Sequence, residues 1–166
     1  MKYFTLIPAI LLSLTSVNAL ASGYTCKTII GTINRLIPDH ACNILQSKPD
    51  HFPDVTFDGF PSCFTGNLTA KLGNTNVTGT AYSGITINGI GQLTAATAIR
   101  LNAGNISLGQ IYTKDMIIFG PQGSTSEALT MVDGSKTFNG GYGGFEITGN
   151  ALYETVSFTG MICAQN

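Results

Sequence analysis

The only grouping of histidine with acids in this chain is His40 and His51 with Asp39, Asp50, Asp54 and Asp58. Imidazole and carboxylate groups hold zinc or a similar metal when four of them converge at about 2 Å. No helical His-x-x-x-His spacing is present, and the segment carries Pro38, Pro49, Pro53 and Pro61. A solvated polar loop is therefore expected there, with no metal and no cofactor. Serines are plentiful, but no Gly-x-Ser-x-Gly elbow occurs, so a Ser/His/Asp triad is not expected either. Cys26, Cys42, Cys63 and Cys163 include no Cys-x-x-Cys pair, which argues against a redox centre or a zinc knot. An even number of cysteines in an exported chain reads as two disulfides.

Charge is scarce after Cys63. Arg100, Lys114, Asp115, Glu127, Asp133, Glu146 and Glu154 supply nearly all of it. Arg100 shares a face with Thr94, Ala96 and Ala98, and Glu146 shares one with Thr148 and Asn150. Turned inward, these faces would let an Arg–Glu pair hold the polar end of a ligand, or let a buried carboxylate act as a base of raised pKa. The opposite faces carry the larger apolar side chains, so both residues are expected outside as solubilising charges. Arg100, Glu146 and Tyr142 remain the candidate binding residues. No catalytic residue is assigned, and two carboxylates for glycoside hydrolysis can be counted but not spaced.

The elements that must position these groups follow from composition and period. The 166 residues are 43% hydrophobic and only 10% charged, with 20 glycines, no tryptophan and a net charge of -1. One domain is expected at this length. So little charge excludes a coiled coil, a highly charged disordered chain and a protein that binds nucleic acid through basic charge. Lys2, the apolar run Phe4–Leu14 and Ala19-Leu20-Ala21 have the order of a secretory signal peptide, expected to span residues 1–21. Removing it leaves 145 residues, Ser22 to Asn166, without a second apolar run long enough for a membrane helix. No stable membrane insertion is expected afterwards, and the location is secreted or periplasmic.

Residues 22–62 read as a proline-rich lead-in, with one strand over Thr25–Ile33 and a short helical turn over Ala41–Gln46. From Cys63 the pattern has period two, the mark of half-buried strands. Strands are expected at Cys63–Leu72, Val77–Tyr82 continuing through Ile85 and Ile87, Leu93–Leu101, Ser107–Thr113, Asp115–Phe119, Glu127–Val132, Gly144–Leu152 and Thr155–Ile162. A helix over Gln92–Asn102 is disfavoured by its threonines and Ile99, which are β-branched. About eight antiparallel strands with frequent turn signals imply a closed barrel, or alternatively a β-sandwich, over residues 63–166. If the first and last of these strands pair antiparallel across the seam, Cys63 meets Cys163, and Cys26 is left for Cys42. Asn67-Leu68-Thr69, Asn76-Val77-Thr78 and Asn105-Ile106-Ser107 fit the glycosylation triplet, as expected by chance in a chain rich in Asn and Thr.

The most distinctive stretch is Asp133–Asn150, where Phe138, Gly140, Gly141 and Gly143-Gly144 lead into Ile147-Thr148-Gly149-Asn150. It resembles the glycine-aromatic turn and strand of the allene oxide cyclase and dirigent-type β-barrels and of small exported bacterial proteins of similar pattern. Ser157–Cys163 looks like their closing strand, and Cys63–Leu68 looks like the opening strand of the exported relatives. The resemblance implies a barrel with an apolar cavity, in which plant members cyclise a fatty-acid epoxide or guide phenoxy-radical coupling. Their functional residues have no position-by-position match in this chain. Phe138, Tyr142 and Phe145 are expected to cover or plug the barrel where the glycines leave room.

Three functions follow. The first is a non-enzymatic exported barrel that binds a small apolar ligand or an envelope component. The second is an isomerase- or cyclase-type enzyme acting on a hydrophobic substrate inside the barrel. The third is a structural or adhesive surface protein. A barrel packed solid with Leu, Ile and Phe excludes the first two, whereas an inward acid or base of perturbed pKa favours the enzyme. Nothing in the sequence fixes an oligomeric state.

Overall fold

The computed structural model describes residues 23–44, 63–87 and 93–166. The expected signal peptide, His51 and the acids Asp50, Asp54 and Asp58 lie outside the described residues. The chain is all-β. Its strands are β1 (Tyr24–Ile33), β2 (Ile37–Pro38), β3 (Cys63–Leu72), β4 (Thr75–Ile87), β5 (Leu93–Ala103), β6 (Ile106–Phe119), β7 (Thr125–Gly134), β8 (Tyr142–Thr148) and β9 (Val156–Gln165). They form one antiparallel sheet in the order β1-β9-β8-β7-β6-β5-β4-β3-β2. A further β1–β3 pairing closes eight of them into a barrel and leaves β2 as a short appendage on β3. No helix among the described residues is long and apolar enough to cross a membrane.

Period-two alternation decides what faces inward. Ile29 and Ile33 of β1, Leu68 and Leu72 of β3, and Val77 and Ala81 of β4 all enter the interior. So do Ile99 and Leu101 of β5, Ile111 of β6, Leu129 and Met131 of β7, Phe145 and Ile147 of β8, and Val156, Phe158 and Ile162 of β9. The 3-10 turn Lys136–Phe138 drops Phe138 into the same core as a plug, as expected of that aromatic. Phe145 meets Phe158 edge-on with ring centroids 6.3 Å apart. Tyr142 instead lies exposed on the outer wall, its ring edge-on to Tyr24 at 5.2 Å. Gly109 has φ +121°, and a Cβ there would sit 2.2 Å from the Ser135 carbonyl oxygen, so the chain can pass under the plug only at a glycine.

The barrel begins at Tyr24, not at Cys63. β1 pairs with β9 along its whole length and with β3 through Ile29–Ile33, so it is the strand that closes the seam. The disulfides differ from expectation for that reason. β1 stands between β9 and β3, which keeps Cys163 away from Cys63 and sets it opposite Cys26. The bonds are Cys26–Cys163 and Cys42–Cys63, not Cys63–Cys163 and Cys26–Cys42. The first spans 137 residues and the second 21. In the chain-entropy account, loops of those lengths stabilise the fold by about 5 and about 3 kcal/mol. Such bonds fit an oxidising compartment.

The second disulfide pins the segment after β2 onto the outer wall. Asp39 organises that segment, accepting hydrogen bonds from the Asn43 backbone N–H at 2.8 Å and the Ala41 N–H at 3.2 Å. Ile44 then packs on Cys63, Ala96, Ala98 and Tyr112, a small second core outside the barrel. Asp39 is thus committed to turn geometry, and His40 is exposed beside it.

Candidate functional site

Four strands break the apolar interior at one end of the barrel. The same alternation that places Ile99 and Ile111 inside continues to Thr97 on β5 and to Thr113, Asp115 and Ile117 on β6. Ser83 of β4 lies opposite Thr97, and Thr97 lies opposite Thr113. On the other side of β6, Asp115 faces Leu129 and Ile117 faces Glu127 of β7. Asp115 and Glu127 are therefore diagonal neighbours on one sheet face, a relation that brings long side chains within reach of each other.

Asp115 is only 4% exposed. Thr97 donates its hydroxyl to Asp115 Oδ2 at 2.5 Å and also lies 3.1 Å from Ser83 Oγ. A hydroxyl has one proton, so with Thr97 donating to the carboxylate, Ser83 donates to Thr97. The result is a chain running from Ser83 through Thr97 to Asp115. Asp115 Oδ1 is buried and has no hydrogen-bond partner among the described residues. Such an oxygen costs about 1–3 kcal/mol in a folded protein, more when charged.

The electrostatics follow from this burial. Desolvation pushes the Asp115 carboxyl from its ordinary 3.8 up to about 7, against the pull of the neighbouring Thr113 and Thr97 hydroxyls. Burial, and then the neighbouring charge of Asp115, pushes Glu127 from 4.5 up to about 8. No cation acts on either carboxyl among the described residues. Near neutral pH the two groups behave as one coupled site holding one to two protons.

Above them is a cavity of about 60 Å³ whose polar wall includes Ser83 and Glu127. Ile85, Leu93, Ile117, Phe119 and Leu152 make its apolar wall. Asn150 also lines it, but its amide is already spent on the Gly123 carbonyl and its carbonyl on the Leu152 N–H. That volume holds a few waters or the end of a ligand, far less than the roughly 300–1,000 Å³ of an enclosing pocket. A larger cavity of about 240 Å³ opens at the other end of the barrel, near Lys27, Leu72 and Phe138. Its one titratable side chain, Lys27, is exposed, whereas the smaller one has the half-buried carboxyl of Glu127 on its wall and the buried carboxyl of Asp115 beside it. Chemistry, not size, singles out the smaller.

The candidates read from sequence do not assemble into a site. Arg100 is exposed on the outer wall with its guanidinium 5.1 Å over the Tyr82 ring, a cation–π contact. Glu146 is exposed on β8, three strands away from Arg100 around the barrel. Tyr142 flanks the Cys26–Cys163 bond through the Tyr142↔Cys163 pairing. In the sequence, Asp115 and Glu127 stand out only as charge. The signal that marks them is parity: Asp115 shares a face with Ile111 and Ile117, and Glu127 shares one with Leu129 and Met131.

Compared with known proteins, the chain matches no protein-family model, no curated protein and no solved structure.

Proposed function

We propose that this chain is an exported, small ligand-binding β-barrel whose Ser83–Glu127 mouth takes the polar end of a small apolar molecule. The observation that carries the reading is an open, apolar-walled cavity with the half-buried Glu127 carboxyl on its wall and the buried Asp115 carboxyl beside it. The rest of the barrel is filled by Leu, Ile and Phe, so only the end of a ligand enters. Its apolar remainder lies on the lip, where Phe119 is 54% exposed. Two disulfides and the signal-like N-terminus support export to an oxidising compartment, secreted or periplasmic. The likeness to allene oxide cyclase and dirigent-type barrels belongs to the same proposal, since those proteins hold apolar substrates in a barrel.

Native mass spectrometry of protein purified without detergent from an exporting host tests it. The expected result is a small apolar adduct on the wild type that is lost in Ala151→Trp, which fills the mouth. Repeated absence of any adduct, with no alkyl compound binding in solution, refutes the reading.

The raised pKa values favour one second reading, an isomerase-type enzyme. A carboxyl that titrates near the working pH is suited to move protons as a general acid or base. Incubating the bound molecule in D2O separates the two: proton-transfer chemistry incorporates deuterium into a C–H position, and binding alone does not.

A further inference from the structure

Once Glu127 ionises, the mouth is an acceptor site without a donor to fill it. Among the described residues, Glu127 on the cavity wall has no cation, and Asp115, buried beside it and off that wall, has one oxygen, Oδ1, without a hydrogen-bond partner, the Thr97 hydroxyl being spent on Oδ2. Two neighbouring carboxyls in an apolar barrel resist ionising together, and positive charge placed between them relieves that resistance. From these facts, and resting on the ligand-binding reading above, we infer that the ligand's polar end is a protonated amine, so that the natural ligand is an apolar or alkyl ammonium compound. An ammonium carries three donors and no acceptor, which matches a cavity wall of carboxyl and hydroxyl oxygens. Charge-assisted hydrogen bonds to carboxylate are about twice as strong as neutral ones. The exposed Phe119 ring at the lip offers a further face to a cation.

Among the described residues, no other charged side chain lines the cavity. The faces turned to the acid pair carry Ser83 and Ile85 from β4, Thr97, Ala95 and Leu93 from β5, and Ile147 from β8, none of which titrates. The nearest rim segments contribute Arg35 and Glu154, both exposed, and Glu154 lies 3.4 Å from the Asn150 N–H. Binding a cation stabilises the ionised acids, so each amine bound displaces a proton to solvent.

Calorimetric titration of the full chain with octylamine, octanol and octanoate, three compounds with one tail, tests the inference. Octylamine is expected to bind about tenfold or more tighter than octanol, with octanoate weakest. Its affinity rises about tenfold from pH 6 to pH 7.5 as the displaced proton becomes easier to release, while that of octanol does not rise. Glu127→Gln brings octylamine down to the octanol level, and Glu146→Gln on the outer wall leaves it unchanged. Octanol or octanoate binding as tightly as octylamine overturns the amine inference but leaves the ligand-binding reading standing. Failure of all three compounds to bind overturns both.

Discussion

Raising the pH should weaken this barrel through the range in which most proteins are steady, and the acid pair sets how much. In the unfolded chain Asp115 releases its proton near pH 3.8, whereas in the fold it keeps it until about pH 7. Over that window the unfolded state holds fewer protons, so stability is fully present below pH 4 and falls as pH rises toward 7. At about 1.4 kcal/mol per pH unit, Asp115 alone costs about 4 kcal/mol. Glu127 adds a fall of similar direction between pH 4.5 and about pH 8. Against a total of about 5–15 kcal/mol for a domain, that is a large share. Guanidinium unfolding with the disulfides intact, followed by circular dichroism at pH 5, 6, 7 and 8, gives the dependence directly. Asp115→Asn stays neutral throughout, so from pH 5 to pH 8 its stability should decline by about 2–3 kcal/mol less than that of the wild type. Stability that stays flat or increases from pH 5 to pH 8 in the wild type refutes the burial argument, as does an Asp115→Asn profile parallel to it.

Three further outcomes follow from the fold. Peptide mapping without reduction should recover Cys26 joined to Cys163 and Cys42 joined to Cys63; a Cys26–Cys42 peptide would show that β1 is not the seam strand. Ile44→Ala, at a side chain 1% exposed, should cost about 2–5 kcal/mol in denaturant midpoint, because it empties the small core under the Cys42 clamp. A loss under 1 kcal/mol would mean the clamp segment does not pack there. Gly109→Ala should abolish cooperative unfolding or lower the melting temperature steeply, since the new methyl meets the Ser135 carbonyl at a backbone angle that favours glycine; a wild-type melt would contradict the crossing under the Phe138 plug.

Much of the barrel is legible in the alternation of Cys63–Leu72, Leu93–Leu101 and Thr155–Ile162, because a half-buried strand writes its inward face directly into the chain. Where the alternation is locally polar, legibility fails. Ser107–Thr113 and Asp115–Phe119 read as two strands, yet they are one strand, β6, since Lys114 points out and the hydrogen-bond ladder runs through it. Tyr24–Ile33 reads as part of an irregular lead-in because prolines follow it and a long segment separates it from β3. Its place at the seam depends on pairing with β9, a contact between the two ends of the chain that local pattern does not carry. The disulfide pairing fails with it. Arg100 and Glu146 attract attention as rare charges, and the structure sets both outside. Asp115 and Glu127 escape for the opposite reason: a carboxyl on an apolar parity looks like a break in the pattern, when it is the pattern continued into a site.

The account stands on the Glu127 carboxyl at the barrel mouth and the buried Asp115 carboxyl beside it, whose burial favours the protonated form. Carboxyl 13C NMR, with Asp115→Asn and Glu127→Gln spectra to assign the two resonances, measures this directly over pH 3 to 9. The expected result is titration of Asp115 at about 7 and of Glu127 at about 8. Midpoints near 4 for both would place them in water and remove the basis of the proposed site.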